Sequence, residues 1–402
     1  MKKTIYTTAF LISLCIALSG CSSRPNEESM DTLISRVFSL AGKQYAAMSR
    51  NLGEGKFPRT FEGGDSLVTS DCKYWCSGFY PGSLWYIYEY TRNDSIRVLA
   101  DKYTKMLDSR KYSTANHDIG FQLNCSYGNA LRITGDSCYR EPLLTGARSL
   151  ATRFNPIVGC IRSWDFVRKG CDWKFPVIID NMMNLELLNV ASDLMKDPGL
   201  MQIAESHANT TMKNHFRKDY TTYHLVDYDP ENGAVRSRQT VQGYSNGSAW
   251  ARGQAWGLYG FSMMFRQTHD AEYLRQAENI ARMLLKRLPD DGIPFWDFDD
   301  PAIPNTVRDA SAGAIMASAL VEIASQTKNK SLGKKCLEMA VKQLRTLAGS
   351  DYLAKEGENG GFLLKHSVGS KPGNSEVDVP LTYADYYFLE ALLRYKTYIT
   401  ND

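Results

Sequence analysis

Apolar residues recur at three- and four-residue spacing along most of this chain, and that period constrains its fold more than any other feature. The helical segments fall near 31–49, 78–92, 94–109, 118–133, 137–153, 180–196, 199–217, 248–267, 270–287, 309–327, 330–348 and 380–399. Capping residues open several of them, such as Asp309 ahead of an Ala/Ile/Met run and Ser248 ahead of Trp250. Short polar turns join the segments in pairs, as at Arg92-Asn93-Asp94 and Lys196-Asp197-Pro198-Gly199. Longer connections rich in Gly, Pro and aromatics separate the pairs, at 53–77, 155–179, 218–247, 288–308 and 349–379. This alternation predicts an all-α fold, an (α/α)6 barrel or six-hairpin toroid. Six inner helices line a funnel, six outer helices wrap them, and the long connections gather at one rim, where function usually sits. Thr221 to Gln242 alternates apolar and polar residues around Asp229-Pro230-Glu231-Asn232-Gly233, which predicts a short β-hairpin in a rim loop. No TPR-like self-similarity points to an open solenoid. No linker splits the chain, so residues 31–402 read as one domain.

Composition removes other classes. A chain that is 43% hydrophobic with a net charge of +3 is neither disordered nor a broad basic grip on nucleic acid. Residues 1–20 read as a lipoprotein signal peptide: Lys2 and Lys3, a short apolar run from Phe10 to Leu18, then Leu18-Ser19-Gly20-Cys21. Cys21 is the expected acylation site, residues 21–30 a polar tether, and the location the cell envelope, with the membrane met only through the lipid. No later stretch is long and apolar enough to span a bilayer. Seven cysteines then remain, an odd number: buried small hydrophobes, with one disulfide such as Cys160–Cys171 as an option. Cys72 and Cys76 lack a second pair at zinc spacing, so no metal is expected.

Three stretches depart from ordinary helix surfaces. Asn116-His117-Asp118-Ile119-Gly120-Phe121 and Ile178-Ile179-Asp180-Asn181-Met182-Met183-Asn184-Leu185 each place an Asp at the head of an apolar helix. A helix cap is the ordinary role of such an Asp. Two of them at inner-helix N-termini would instead share one rim, where close carboxylates push their pKa values apart and one stays protonated near neutrality. The third stretch is Gln242-Gly243-Tyr244, followed by Trp250-Ala251-Arg252-Gly253-Gln254-Ala255-Trp256. A buried Arg252 needs an anionic partner, either a protein carboxylate or a ligand's, and its planar fork suits both. Aromatic faces beside it, Trp250 and Trp256, suit the apolar face of a sugar ring. Rim-loop aromatics such as Trp75, Trp164 and Trp296 add to that reading. Near the C-terminus, Ser367, Ser370 and Lys371 lie close enough in sequence to hold a sulfate or another group of the aglycone.

These motifs, in this order, resemble glycoside hydrolase family 88, the unsaturated glucuronyl hydrolases. The resemblance runs from Trp75-Cys76-Ser77-Gly78-Phe79-Tyr80-Pro81-Gly82 to Tyr383. It implies an (α/α)6 barrel that removes a 4,5-unsaturated glucuronic acid from the non-reducing end of lyase-generated, glycosaminoglycan-type oligosaccharides, derived from chondroitin, hyaluronan or heparin. It implies no metal and no organic cofactor. By motif match Asp180 is the catalytic acid/base, Asp118 its carboxylate neighbour and Arg252 the uronate-binding residue. Trp75 and Trp256 would contact the ring, with His224 and Gln242 beside it. Some members of the family carry Ser and Lys in a loop comparable to that of Ser367, Ser370 and Lys371. The alternatives are an unsaturated rhamnogalacturonyl hydrolase of family 105, which shares the toroid, and a glycan-binding lipoprotein without catalysis, which would not need Asp118 and Asp180.

Overall fold

A computed structural model describes residues 28–399; the leader, Cys21 and the first part of the tether lie outside the described residues. The last residues of that tether belong to the fold, because Glu28 pairs with Arg36 at 2.9 Å and Ser29 caps the first helix.

All twelve predicted helical segments are present. The outer ring is α1 (Met30–Asn51), α3 (Asp94–Lys105), α6 (Arg140–Ala151), α8 (Gly199–Asn214), α10 (Ala271–Arg287) and α12 (Lys330–Leu347). Each of these carries one apolar stripe. In α10, Tyr273, Ala277, Ile280, Ala281 and Leu284 are buried at helical spacing while Glu272, Arg275 and Lys286 stay exposed. The inner ring is α2 (Phe79–Thr91), α4 (Ile119–Leu123) with α5 (Asn129–Thr134), α7 (Leu185–Met195), α9 (Ala251–Thr268), α11 (Ala310–Gln326) and α13 (Thr382–Ile399). A π-helical turn, Asn124–Gly128, joins α4 to α5. Inner helices are buried on every side for much of their length. Every residue of α9 from Ala251 to Met264, and of α11 from Ala310 to Ile323, is buried, as a helix walled in by neighbours must be. The inner helices touch in sequence and close on themselves, α13 against α2. This is the (α/α)6 toroid, with every inner N-terminus opening at one rim.

Strand structure at that rim exceeds the single expected hairpin. There are β1 (Phe57–Glu62) with β2 (Ser66–Ser70), and β3 (Phe154–Asn155) with β4 (Cys160–Ile161). The predicted hairpin, β6 (Leu225–Tyr228) with β7 (Val235–Gln239), forms, and β5 (Phe175–Ile178) adds to it to make three strands. The Ser367–Lys371 loop is in fact a hairpin, β8 (Ser367–Ser370) with β9 (Ser375–Val379). Each rim sheet is antiparallel and short. The option of a Cys160–Cys171 disulfide is not realised: all seven described cysteines are free, and Cys160 is buried among Val158, Phe175 and Val177. Among the described residues no helix is long and apolar enough to cross a membrane.

Candidate active site

A cavity of about 180 Å³, roughly the room for one sugar ring, opens where the inner N-termini converge. Asp118, Asp180, Arg252, Gln242, Trp75 and Ser370 all line it, so most of the residues singled out from sequence meet in one place. Three larger hollows lie elsewhere, at the opposite end of the inner helices, on the outer ring and beside the β3–β4 strands, and none contains either carboxylate.

Neither Asp serves as a helix cap. Asp118 occupies the N-cap position of α4 but its side chain accepts no capping hydrogen bond. Asp180 is the second residue of a 3-10 turn, Ile179–Asn184, which leads into α7 without a side-chain cap. Both carboxyls are instead spent on the cavity. Burial, and then the charge of Asp180, pushes Asp118 up to about 7. Burial pushes Asp180 up to about 6, opposed first by Arg252 and more weakly by a backbone N–H and the Trp256 indole. The pair therefore holds close to one proton between them near neutral pH. Of the two, Asp118 is pushed up further, by burial and then by the charge of Asp180, because Arg252 favours the Asp180 carboxylate.

Each carboxyl faces a neutral histidine. His224 Nδ1 accepts the backbone N–H groups of Val241, at 3.0 Å, and Gln242, at 3.4 Å. Its proton therefore sits on Nε2, which faces Asp180 Oδ2 at 3.8 Å. Both of those atoms are buried without a hydrogen bond. His117, absent from the expected site, lines the cavity with Nε2 3.4 Å from Asp118 Oδ1. Burial lowers both imidazoles to about 3, so they act as dipoles and not as charges. His117 sat within a motif already noted; the signal was its place beside Asp118.

Gly120 explains how α4 and the Asp180 turn come so close. A Cβ there would stand 2.5 Å from Asn184 Cα, and Asn184 Oδ1 accepts the Phe121 N–H at 2.8 Å. Gly120→Ala wedges the two acid-bearing elements apart. The expected result is a fall in turnover of about 100-fold, the scale of a 1 Å misplacement. Steady-state rates and a far-ultraviolet dichroism spectrum of the variant check it.

The buried anion demanded by Arg252 is Asp309. The Arg252 Nη1 donates to Asp309 Oδ2 at 3.2 Å and also to the Val368 carbonyl, while Nη2 donates to the Gly369 carbonyl at 2.6 Å. Asp309 Oδ1 caps α11 at Ser311 and Ala312, so one carboxylate fixes a helix and a guanidinium together. From sequence only its cap was legible. Gln242 Nε2 donates to the same Gly369 carbonyl at 3.1 Å.

Several expected contacts are not on the cavity wall. Trp256 is fully buried against Phe121 and Tyr387, beneath the floor. Trp250 is 3% exposed, packed on His224 and under the Arg252 guanidinium at 4.6 Å, so it holds the site from behind. Ser367 is buried. Lys371 Nζ is tied to Asp300 at 3.1 Å and Thr306 at 2.6 Å. Of the Ser/Lys set only Ser370 reaches the cavity. Tyr74, Trp164, Glu376 and Tyr383 line it in their place.

The sequence model of Glycosyl Hydrolase Family 88 matches residues 55–399. Over 400 residues the chain is 40% identical to the unsaturated glucuronyl hydrolase of Formosa agariphila, covering 98% of each chain. It is 35% identical over 368 residues to that of a Bacillus species, covering 90% of this chain and 97% of the relative. A crystal structure of an unsaturated glucuronyl hydrolase specific for heparin superposes with a TM-score of 0.88 at 46% identity, over 91% of this chain and 97% of that one. An enzyme variant from Streptococcus agalactiae complexed with dGlcA-GalNAc6S superposes with a TM-score of 0.77 at 28% identity, over 92% and 93%.

Proposed function

The chain belongs to glycoside hydrolase family 88, and on that premise we propose that it removes 4,5-unsaturated glucuronic acid from the non-reducing end of glycosaminoglycan-derived oligosaccharides. The observation that carries this reading is the pair of largely buried carboxyls, Asp118 and Asp180, with side chains 13% and 14% exposed, facing one ring-sized cavity beside a buried arginine.

The substrate ring contains an enol ether, C4=C5–O5. In this reading Arg252 meets the uronate carboxylate with the donors that Asp309, Val368 and Gly369 leave free, Gln242 lies beside it, and Trp75 meets the ring. An anion on Arg252 cancels the influence that lowers Asp180 and adds a negative charge beside it. Substrate binding thus moves the shared proton to Asp180. Asp180 gives that proton to C4, and the positive charge that develops at C5 and O5 is stabilised by the Asp118 carboxylate. Water then adds at C5, with Asp180, now a carboxylate, taking its proton. The resulting hemiketal collapses, and C1 releases the aglycone with its own oxygen. No bond to C1 is attacked directly, so the separation of the two carboxyls does not dictate retention or inversion. His224 keeps its Nε2–H toward Asp180 throughout and steadies the carboxylate phase.

A test is incubation with the unsaturated disaccharides of chondroitin, hyaluronan and heparin. Loss of the alkene ultraviolet absorbance with release of the free amino sugar is expected. Absorbance unchanged for all three sinks the reading. The leader, Lys2 to Cys21, supports placing the enzyme in the cell envelope as a lipid-anchored hydrolase. Cys21→Ser would then release it from membranes without changing turnover.

A further inference from the structure

The β8–β9 hairpin, read from sequence as a sulfate-holding loop, presents something different to the cavity. Its basic residue, Lys371, is consumed by Asp300, and the charged side chain that lines the cavity is Glu376. Resting on the uronate reading above, we propose that Glu376, fixed by Arg59, is a specificity-determining residue that favours linked sugars presenting hydroxyls, and disfavours those presenting sulfate, to this hairpin.

Four observations place the carboxylate there. Its side chain is only 10% exposed, and Oε1 accepts a hydrogen bond from Arg59 Nη2 at 2.8 Å. The guanidinium of Arg59, on β1, sits over the Tyr74 ring at 3.9 Å, so the pair cannot swing away freely. Oε2 accepts no hydrogen bond among the described residues and is not among the fully buried oxygens, which leaves it facing the opening. The backbone carries Glu376 at φ +55°, with Asn374 at +45° and Asp378 at +58°, all in the left-handed region that non-glycine residues avoid. Such conformations persist where surrounding contacts over-determine them, and they gather at functional sites.

Gly369 makes the room. A Cβ at that position would stand 2.7 Å from Glu376 Oε2, so a side chain there would displace the carboxylate. The carbonyl of the same glycine accepts from Arg252 and Gln242. The hairpin is thereby registered to the uronate-binding arginine by its backbone, and Glu376 stands at a set position relative to it.

The side of the substrate that Glu376 meets follows from depth. Asp118 and Arg252 are buried at the floor, whereas Ser375 is exposed at the mouth beside Glu376. The reacting C4=C5 edge and the carboxylate go to the floor. What projects toward the hairpin is the sugar attached through C1. A fixed carboxylate accepts hydrogen bonds from its hydroxyls, and it repels a sulfate ester, since a like charge placed opposite a like charge is costly.

The experiment compares kcat/KM for unsulfated dGlcA-GalNAc and for dGlcA-GalNAc6S in wild type, Glu376→Gln and Arg59→Gln, each checked for fold by far-ultraviolet dichroism. Glu376→Gln keeps the shape and removes the charge, so the sulfated-to-unsulfated ratio is expected to rise about tenfold or more. Arg59→Gln strips the carboxylate of its counter-ion, so the ratio is expected to fall. Opposite signs separate electrostatic selection from a merely structural role, which would move both variants the same way. A ratio that stays within about twofold of wild type in Glu376→Gln, or that moves in the same direction in both variants, overturns the proposal. Should Glu376→Gln not fold, Arg59→Gln decides alone: a lower ratio supports the proposal, and an unchanged or higher one overturns it. A wild type that turns over neither disaccharide overturns the uronate reading and this inference with it, whereas normal wild-type turnover with unmoved ratios overturns this inference only.

Discussion

Replacing Asp180 by Asn abolishes turnover of unsaturated disaccharides and leaves a folded protein that is more stable than wild type above neutral pH. The first half follows from the proton. Asn cannot deliver one to C4 or take one from water, and loss of a positioned acid/base group costs about 100- to 10,000-fold. The second half follows from burial. Asp180 titrates at about 6 in the folded chain, against about 3.9 in an unfolded one. A folded pKa above the unfolded value means that the unfolded chain binds fewer protons between those two pH values. Stability therefore falls as pH rises through that window, and the full penalty is present above about pH 6. Asn does not titrate and escapes it. Thermal denaturation of the two proteins at pH 4 and pH 8 checks the sign: near-equal midpoints in acid, and a higher midpoint for Asp180→Asn at pH 8. Retained turnover by the variant would remove Asp180 from the chemistry.

Arg252 carries the second large effect, and it is as much architectural as functional. Arg252→Met leaves Asp309 buried without its counter-charge, and the Val368 and Gly369 carbonyls without their donor. Breaking a buried pair from one side costs about 3–5 kcal/mol. The variant is therefore expected to melt several degrees lower, and to lose at least about 100-fold in kcat/KM through the missing grip on the uronate. Adding Asp309→Asn separates the two roles. Asn remains a good cap for α11 and carries no charge, so Arg252→Met/Asp309→Asn recovers much of the lost stability and none of the lost activity. Recovery of activity in the double variant would mean that Arg252 serves only to neutralise Asp309.

The barrel was legible because burial leaves a different mark on each ring. Helices such as α11 read apolar all round and α10 reads as one stripe, and that contrast survives in a single sequence. The acid pair was legible because Asp118 and Asp180 each stand at the head of an apolar helix, and two such carboxyls at inner-helix N-termini share one rim. Depth was not legible. Trp250 and Trp256 sit on the right helix, but periodicity assigns a face without saying whether that face looks into the cavity or into the core behind it. Partners distant in sequence were equally hidden. Nothing near Lys371 announces Asp300, and nothing near Glu376 announces Arg59 on a strand more than three hundred residues earlier. The β8–β9 hairpin escaped because its strands are only four and five residues long and Ser367-Val368-Gly369-Ser370 holds a single large apolar residue, too little for a period of two to show.

The account's central claim is that the double bond, and not the C1 linkage, is attacked first, with the proton coming from the buried carboxyl pair. Following the reaction by proton NMR in D₂O tests this directly. The expected result is that the C4 alkene resonance disappears in step with the disaccharide, with one deuteron delivered to a single face of C4. A released monosaccharide that still carries its alkene resonance would show that the glycosidic bond is cut directly, and would contradict the account.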